Sequence, residues 1–171
     1  EKEGAYTGEV SPKMLTSSGV SYVIVGHSER RTLGDTDEIV NKKIKAALRA
    51  GMRVILCVGE SGALRKRGLF AAKTFIKNQL QKDLRDIPNM GRNASRIIIA
   101  YEPLWAVNTG RVDNPEDAAE IIKFIKYFIS VHYEVSIANT KVLYGGSLTP
   151  EKALGFFRIS EIDGAVIGSV S

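Results

Sequence analysis

Short apolar runs alternate along this chain with longer segments in which apolar residues recur every three or four positions. The short runs predict strands, and the longer segments predict helices with one buried side. Five strands are predicted in this way, at residues 21–26, 53–58, 97–101, 142–144 and 162–168. Helices are predicted at residues 12–19, between 35 and 51, at 63–84, at 115–133 and from 150 onward.

A strict alternation of buried strands and helices is typical of parallel βα units joined by right-handed crossovers. We therefore predict an α/β fold, and no change in composition divides residues 1–171 into two domains. Parallel strands all end at the same edge of a sheet, and parallel α/β folds carry their function there. The residues that follow each strand are therefore the candidates for chemistry.

Local signals refine two of the helices. Asp35, with Glu38 three residues later, predicts a capping box at the start of the second helix. The helix at residues 63–84 is expected to bury one stripe, and residues 87–95 are expected to form a polar linker. The predicted stripe consists of Leu69, Phe70, Phe75, Ile76, Leu80 and Leu84. In the helix at residues 115–133, the predicted buried side consists of Ile122, Ile125, Phe128 and Ile129.

Composition restricts the class of protein. A net charge of +5, a hydrophobic fraction of 44% and a charged fraction of 25% are ordinary for a globular domain. No apolar run approaches the roughly 20 residues of a membrane span. No basic stripe carries interleaved aromatic residues, so neither a membrane nor nucleic acid is expected as a partner. Cys57 lies in an apolar strand and predicts a buried, inert thiol, which is consistent with a reducing, cytoplasmic location.

A carboxylate stands at the end of the most apolar strand. Glu102 follows the run at residues 97–101, and Pro103 prevents the strand from continuing. The loop beyond contains Trp105 and a Thr-Gly pair at residues 109 and 110. Two interpretations are open at this point. Glu102 is either an exposed carboxylate, as most glutamates are, or a catalytic base under a loop that covers it.

A histidine follows another predicted strand. His27 comes directly after Gly26 and opens a polar cluster that includes Ser28 and Glu29. A carboxylate and an imidazole at the same edge of a sheet suit proton abstraction next to a carbonyl group, because one removes the proton and the other hydrogen-bonds to the oxygen. A histidine after a strand is also often structural, so this pair favours catalysis without establishing it.

Two glycine-containing turns follow the last two predicted strands. They are residues 145–147, Gly-Gly-Ser, and residues 168–169, Gly-Ser. Glycine lets the backbone N–H groups approach an anion, and barrels of βα units commonly hold phosphate after their last two strands. Each turn alone is equally consistent with an ordinary tight turn. The sequence has no P-loop and no HExxH or CxxC spacing, so we predict neither a metal nor a cofactor.

Together these stretches resemble the triosephosphate isomerase family, in its order and with its approximate spacing. The segments that carry the resemblance are residues 7–11, TGEVS; 25–31, VGHSERR; 57–60, CVGE; 100–106, AYEPLWA, with Thr109 and Gly110; and 144–147, YGGS. The resemblance implies a (β/α)8 barrel and the interconversion of dihydroxyacetone phosphate and D-glyceraldehyde 3-phosphate in glycolysis and gluconeogenesis.

The resemblance also implies catalytic roles. Glu102 would be the base that moves the proton between two substrate carbons, and His27 would be the neutral electrophile. A glutamate base and a neutral histidine are the established acid–base groups of this family, and their surroundings set their pKa values. Ser28 and Glu29 would support them, and residues 103–111 would form a lid that excludes water.

For binding, the resemblance implies that a small phosphorylated substrate is held through its phosphate. The implied residues are Asn108, Gly146, Ser147, Gly168 and Ser169. A loop made of Thr7, Gly8 and Glu9 would reach into a partner subunit and form a homodimer. The family usually has Gly at the positions of Asn108 and Ser169 and Lys at the position of Arg111.

The predicted strands correspond to only five of the eight βα units of such a barrel, the fourth to the eighth. The first three units and the last helix are expected to be absent, because a complete barrel takes about 250 residues. The family's catalytic Asn-x-Lys belongs after the first strand. Residues 41–43 and 139–141 match its spelling, but one lies in a predicted helix and the other precedes a strand.

Three functions follow in order of preference. The first is triosephosphate isomerase, with little activity expected from these residues alone. The second is an inactive partial barrel that binds phosphate or associates with other chains, because two sheet edges would be unpaired. The third is an epimerase or aldolase of similar fold, which is disfavoured since no lysine is predicted at the carboxyl end of a strand to form a Schiff base.

Overall fold

A computed structural model describes residues 4–107 and 113–168 of the chain. Within these ranges four strands form one parallel sheet in sequence order. They are β1, Tyr22–Val25; β2, Arg53–Val58; β3, Ile97–Tyr101; and β4, Lys141–Tyr144. Neighbouring strands are parallel in every pair, so each connection crosses over through a helix. The α/β fold with a parallel sheet is confirmed.

Eight α-helices lie in the described residues. They are α1, Pro12–Ser17; α2, Ser28–Thr32; α3, Asp37–Arg49; α4, Gly62–Arg65; α5, Leu69–Asp83; α6, Met90–Asn93; α7, Pro115–Tyr133; and α8, Pro150–Phe157. Short 3₁₀ turns cover Ala94–Arg96 and Ile137–Asn139. Proline opens α1, α7 and α8 in the first turn, where its missing N–H has no partner to lose.

The core lies between the sheet and its helices. Alternate strand residues such as Leu56, Ile99 and Tyr144 point to the helices and are buried. The helix α7 contributes the four predicted residues Ile122, Ile125, Phe128 and Ile129, all of which are buried. The opposite face of the sheet is less covered at its edge, because Ile24 in β1 is 52% exposed. The apolar run at residues 21–26 predicts a buried strand, but β1 is only partly buried.

The predicted helix at residues 63–84 is two helices. Gly68, with φ of 95°, separates α4 from α5, a conformation that glycine adopts without steric cost. Within α5 the buried side is formed by Ala72, Ile76, Gln79, Leu80 and Asp83, so it is narrower than the predicted stripe. Ile76 and Leu80 are buried as predicted, but Phe70 is 84% exposed and Phe75 is 38% exposed.

Three smaller expectations also differ from the structure. Thr36, and not Asp35, caps α3, and its hydroxyl accepts a hydrogen bond from the N–H of Ile39. Asp35 instead pairs with Lys43 at 2.5 Å. The expected linker at residues 87–95 contains α6. The last predicted strand, residues 162–168, is a single parallel bridge between Tyr144 and Ala165.

Candidate active site

The turn after β1 orients the imidazole of His27. His27 is the cap of α2, and its Nδ1 accepts a hydrogen bond of 3.3 Å from the N–H of Glu29. In a neutral imidazole only one ring nitrogen carries a proton, so this bond assigns the proton to Nε2. That nitrogen faces the end of β3.

Glu102 lies directly opposite. Its N–H donates to the carbonyl of Val58 at 2.8 Å, which extends the pairing of β2 and β3 by one residue beyond the strand. The residue is only 2% exposed. One carboxylate oxygen lies 3.4 Å from Nε2 of His27, and the other accepts a hydrogen bond of 3.4 Å from the N–H of Ser28. The interpretation of Glu102 as an exposed carboxylate is therefore wrong.

The surroundings of Glu102 favour a protonatable base. Burial raises the pKa of the carboxyl group, and the nearby His27, the thiol of Cys57 and the N–H of Ser28 oppose that shift. Cys57 is buried, and burial also raises the pKa of its thiol. The thiol therefore stays protonated at neutral pH, and its proximity lowers the pKa of Glu102. Its position matches the prediction of a buried thiol.

Glycine is required in the turn after β4. A Cβ atom on Gly145 would lie 2.8 Å from the Cγ of Glu102, and one on Gly146 would lie 2.2 Å from the hydroxyl of Tyr144. Real Cβ atoms do not approach other atoms so closely, so larger residues would displace their neighbours. Ser147 then donates twice to the carbonyl of Ala106, from Oγ at 2.7 Å and from its N–H at 3.2 Å. The turn is thereby fixed to the loop that follows Glu102.

This arrangement agrees with comparisons of the whole chain. The family model described as triosephosphate isomerase matches residues 1–171. The chain belongs to the triosephosphate isomerase family.

Bacterial proteins named triosephosphate isomerase are similar to the chain over its full length. The protein of Trichlorobacter lovleyi is 46% identical over 175 residues, that of Geobacter metallireducens 45% over 175, and that of Carboxydothermus hydrogenoformans 44% over 173. In each comparison all of this chain is aligned, with 67% of the relative.

The other residues that the triosephosphate isomerase resemblance selected are placed as follows. Ser28 is half-buried and contacts Glu102 through its backbone. The Glu29 side chain is 69% exposed, with its carboxylate 4.0 Å from Nδ1 of His27 on the side away from Glu102. Gly168 is exposed at the end of the described residues. Asn108 and Ser169 lie outside the described residues, as do residues 109–111 of the predicted lid.

Sequence reasoning assigned no role to a second buried glutamate, at the end of a strand next to that of Glu102. Glu60 follows β2 and is fully buried. One of its carboxylate oxygens accepts hydrogen bonds of 3.1 Å from the hydroxyl of Tyr101 and from Nε1 of Trp105. Burial raises its pKa, while these two bonds and the charge of Arg65 oppose the shift. The position of Glu60 at the end of a buried strand was the available signal.

Arg31 was also missed. Its Nε donates to the carbonyl of Gly26 at 2.8 Å, which holds the turn that presents His27. Its two terminal nitrogens pair at 2.7 Å with Asp37 and with the fully buried Asp83. Burial raises the pKa of Asp83 to about 7 despite the neighbouring guanidinium. The arginine therefore connects the histidine turn to α3 and α5.

A cavity of about 350 Å³ adjoins Glu102 on the side of these two helices. Ser28, Cys57, Glu102 and Leu104 form its inner wall. Among residues 4–107 and 113–168, no cluster of three or more His, Cys, Asp or Glu side chains is placed to hold a metal ion. No helix in those ranges is long and apolar enough to cross a membrane.

Proposed function

We propose that this chain carries the base and the electrophile of a triosephosphate isomerase, which interconverts dihydroxyacetone phosphate and D-glyceraldehyde 3-phosphate. The observation that carries the proposal is the approach of the buried Glu102 carboxylate to Nε2 of His27 at 3.4 Å. The family match over residues 1–171 and the names of its relatives support it.

In the proposed reaction the Glu102 carboxylate removes a proton from the carbon next to the substrate carbonyl. The Nε2–H of His27 donates to the carbonyl oxygen, where negative charge accumulates as the enediolate forms. Glu102 then returns its proton to the former carbonyl carbon, and the proton of the neighbouring hydroxyl group passes to the former carbonyl oxygen, so that no atom or electron is gained or lost overall. A buried carboxylate whose pKa is raised is a stronger base than an exposed one, because solvation stabilises its anion less.

We assign the substrate phosphate to Asn108, Gly146, Ser147, Gly168 and Ser169, where Ser147 would exchange its present hydrogen bonds to Ala106 for the phosphate. The described part of this set supports the assignment, because the glycine turn after β4 is fixed both against Glu102 and against Ala106. Ser28 and Glu29 would then orient the two catalytic side chains. The N–H of Ser28 donates to Glu102, and the N–H of Glu29 donates to His27.

We further propose that the strands are the fourth to the eighth of a (β/α)8 barrel. The sequential parallel order β1 to β4 supports this, and the parallel bridge between Tyr144 and Ala165 supports a fifth strand at residues 162–168. The chain aligns with 67% of the length of its relatives. Residues 41–43 lie inside α3 and Lys141 begins β4, so neither Asn-x-Lys match lies at the carboxyl end of a strand.

The proposal includes a cytoplasmic role in glycolysis and a homodimer formed through Thr7, Gly8 and Glu9. These three residues are exposed, as are Tyr6 and Val10 beside them. Sedimentation of the complete reading frame with and without Gly8→Asp would test the dimer. We expect the substitution to lower the mass toward that of one chain, and an unchanged mass would remove the loop from the interface.

The test of the isomerase follows both turnover and the uptake of deuterium from heavy water at the substrate carbon. The variants are His27→Asn and Glu102→Gln, each with a matched control. His132→Asn changes the chain's other histidine, and Glu134→Gln changes an exposed glutamate at the end of α7. We expect both site variants to lose turnover and exchange together. Full activity in Glu102→Gln would refute the assignment of the base.

One observation favours a second candidate, an inactive partial barrel that associates with other chains. Ile24 is an apolar strand residue, yet it is 52% exposed on the face of the sheet away from the helices. Exposed apolar strand positions at a sheet edge favour association. Assay and sedimentation of the 171 residues alone decide between the candidates. Little turnover with self-association would support the second, and clear turnover by single chains would exclude it.

A further inference from the structure

The short helix α4 lies against both ends of the loop that leads from β3 to α7. At its start Gly62 packs against Trp105, because a Cβ atom there would lie 3.2 Å from the Cβ of Trp105. At its end Arg65 is largely buried, with 14% of its side chain exposed. No role in the reaction described above falls to Arg65.

On the side of β3, Arg65 contacts the segment that directly follows Glu102. The carbon of its guanidinium lies 5.7 Å from the centre of the Trp105 ring. That ring is held from another side by the hydrogen bond from its Nε1 to Glu60, and the N–H of Leu104 donates to the carbonyl of Glu60 at 3.1 Å. A guanidinium over an indole is attracted by the negative face of the ring.

On the side of α7, the same guanidinium forms two ion pairs. Its Nη2 lies 3.2 Å from Asp113 and 2.8 Å from Asp117. Asp113 is itself fixed, since its N–H donates to the hydroxyl of Tyr144 at 3.2 Å and its carboxylate accepts from the N–H of Asn114 at 2.8 Å. One side chain therefore contacts Trp105 before the residues 108–112 and Asp113 after them.

We propose that Arg65 is a positioning residue of the active site, which fixes the two ends of the loop after β3 relative to each other and thereby holds the segment that follows Glu102. The kinetic part of this inference rests on the proposed isomerase function, whereas the structural part does not.

Arginine suits this task because its planar group can lie over a ring and donate in its own plane to carboxylates. Lysine offers a single charged point, so it can replace only some of these contacts. The guanidinium also faces the buried Glu60, and its charge opposes the rise in pKa that burial causes at Glu60 and at Asp113, where the pKa reaches about 6. Its removal would leave two buried carboxylates without their common cation.

The structural test uses the fluorescence of Trp105, the only tryptophan of the 171 residues. Quenching by acrylamide is measured in Arg65→Met, Arg65→Lys and the control Lys73→Met. Lys73 is a matched control because it also lies over a ring, 5.9 Å from that of Phe124, and pairs with a carboxylate, Glu120, away from the site. We expect the quenching constant to rise about threefold in Arg65→Met, less in Arg65→Lys and not at all in Lys73→Met.

The kinetic test compares kcat and KM in the complete reading frame. We expect kcat to fall about tenfold in Arg65→Met, with KM changed less than about threefold, because the base is displaced while the phosphate contacts outside this loop remain. Arg65→Lys should recover part of the loss. A merely structural role would lower the melting temperature and leave both constants of the folded enzyme unchanged.

The outcomes separate this inference from the isomerase proposal. Equal quenching in Arg65→Met and Lys73→Met would overturn the role of Arg65, whatever the activity. If quenching changes as expected but no form of the protein shows turnover, the isomerase proposal is overturned, while the contact between Arg65 and Trp105 stands. If Arg65→Met does not fold, Arg65→Lys and Asp113→Asn decide, and unchanged quenching in both would also overturn the inference.

Discussion

Glu60 and Glu102 both follow buried strands, and both are nearly inaccessible, but their partners differ. Glu60 accepts hydrogen bonds from a tyrosine and a tryptophan and faces Arg65. Glu102 faces an imidazole, a thiol and one backbone N–H. The partners of Glu60 are residues that fix a loop, whereas the partners of Glu102 include an imidazole, which can exchange protons. Burial alone therefore does not distinguish an anchor from a base.

The largest difference is expected when each carboxylate is replaced by its amide. Glu102→Gln should lower kcat by about 10²- to 10⁴-fold, because the proposed proton acceptor is removed. Glu60→Gln keeps a hydrogen-bond acceptor for Tyr101 and Trp105, so it should lower kcat by about tenfold or less. Steady-state kinetics of the two variants in the complete reading frame measures the contrast, and equal losses would mean that both glutamates act in the reaction.

A methyl group at Gly145 sharpens the comparison, because the atom nearest to it belongs to Glu102 and none of its near neighbours belongs to Glu60. Because the added Cβ atom would lie 2.8 Å from the Cγ of Glu102, the carboxylate must shift, and kcat should fall by about 10- to 100-fold. Gly91→Ala is the control, since a Cβ atom there meets nothing within 4 Å. A Gly145→Ala variant as active as Gly91→Ala would show that the base tolerates displacement.

Loss of the indole donor tests Glu60 as an anchor. Trp105→Phe keeps a ring but removes the Nε1–H that donates to Glu60, and the buried carboxylate loses one of its two described hydrogen-bond donors. The free energy of unfolding should fall by about 1–3 kcal/mol. Phe157→Leu changes a half-exposed ring elsewhere and serves as the control. Denaturation in urea would measure both, and equal effects would contradict the anchor.

The smallest effect concerns the pH dependence of stability. Burial raises the pKa of both glutamates, so the folded chain keeps these protons to a higher pH than the unfolded chain. Stability should therefore fall as the pH rises from the unfolded pKa, about 4.3, to the folded one, with a slope of up to about 1.4 kcal/mol per pH unit for each group.

Glu60→Gln and Glu102→Gln should each remove the contribution of one carboxyl group to the pH dependence of stability. Urea denaturation at several pH values between 4 and 8 would measure it. A slope unchanged by both substitutions would show that neither carboxyl group holds its proton in the folded state. In turnover the sign is the opposite, because the base role proposed for Glu102 requires its ionised form, so activity should fall as the pH falls through its raised pKa.

Much of the fold could be predicted because periodicity reports burial directly. The strand Arg53–Val58 and the helix Pro115–Tyr133 begin and end where the apolar pattern and the proline place them. The break at Gly68 was missed because apolar residues continue at helical spacing on both sides of it. The last strand was predicted to be longer than it is. Among the described residues its apolar positions have only β4 as a neighbouring strand, and they pair with it through the single bridge between Ala165 and Tyr144.

The candidate site divides in the same way. His27 and Glu102 could be predicted because each follows a strand, and the parallel arrangement brings the ends of such strands together. Glu60 and Arg65 could not be assigned, since their partners lie 41 to 52 residues away in sequence. Glu29 neighbours His27 in sequence, but the helix α2 directs its carboxylate outward.

The sequence by itself determined the alternation of strands and helices, the edge at which chemistry is placed and the family to which these motifs are similar. These are local properties, because hydrophobic period and turn residues act over a few positions. Only the tertiary structure decided that both glutamates are buried and that Glu60 faces a tyrosine, a tryptophan and an arginine. The physical reason is that the protonation and the partners of a buried carboxylate depend on groups that folding brings together from distant parts of the chain.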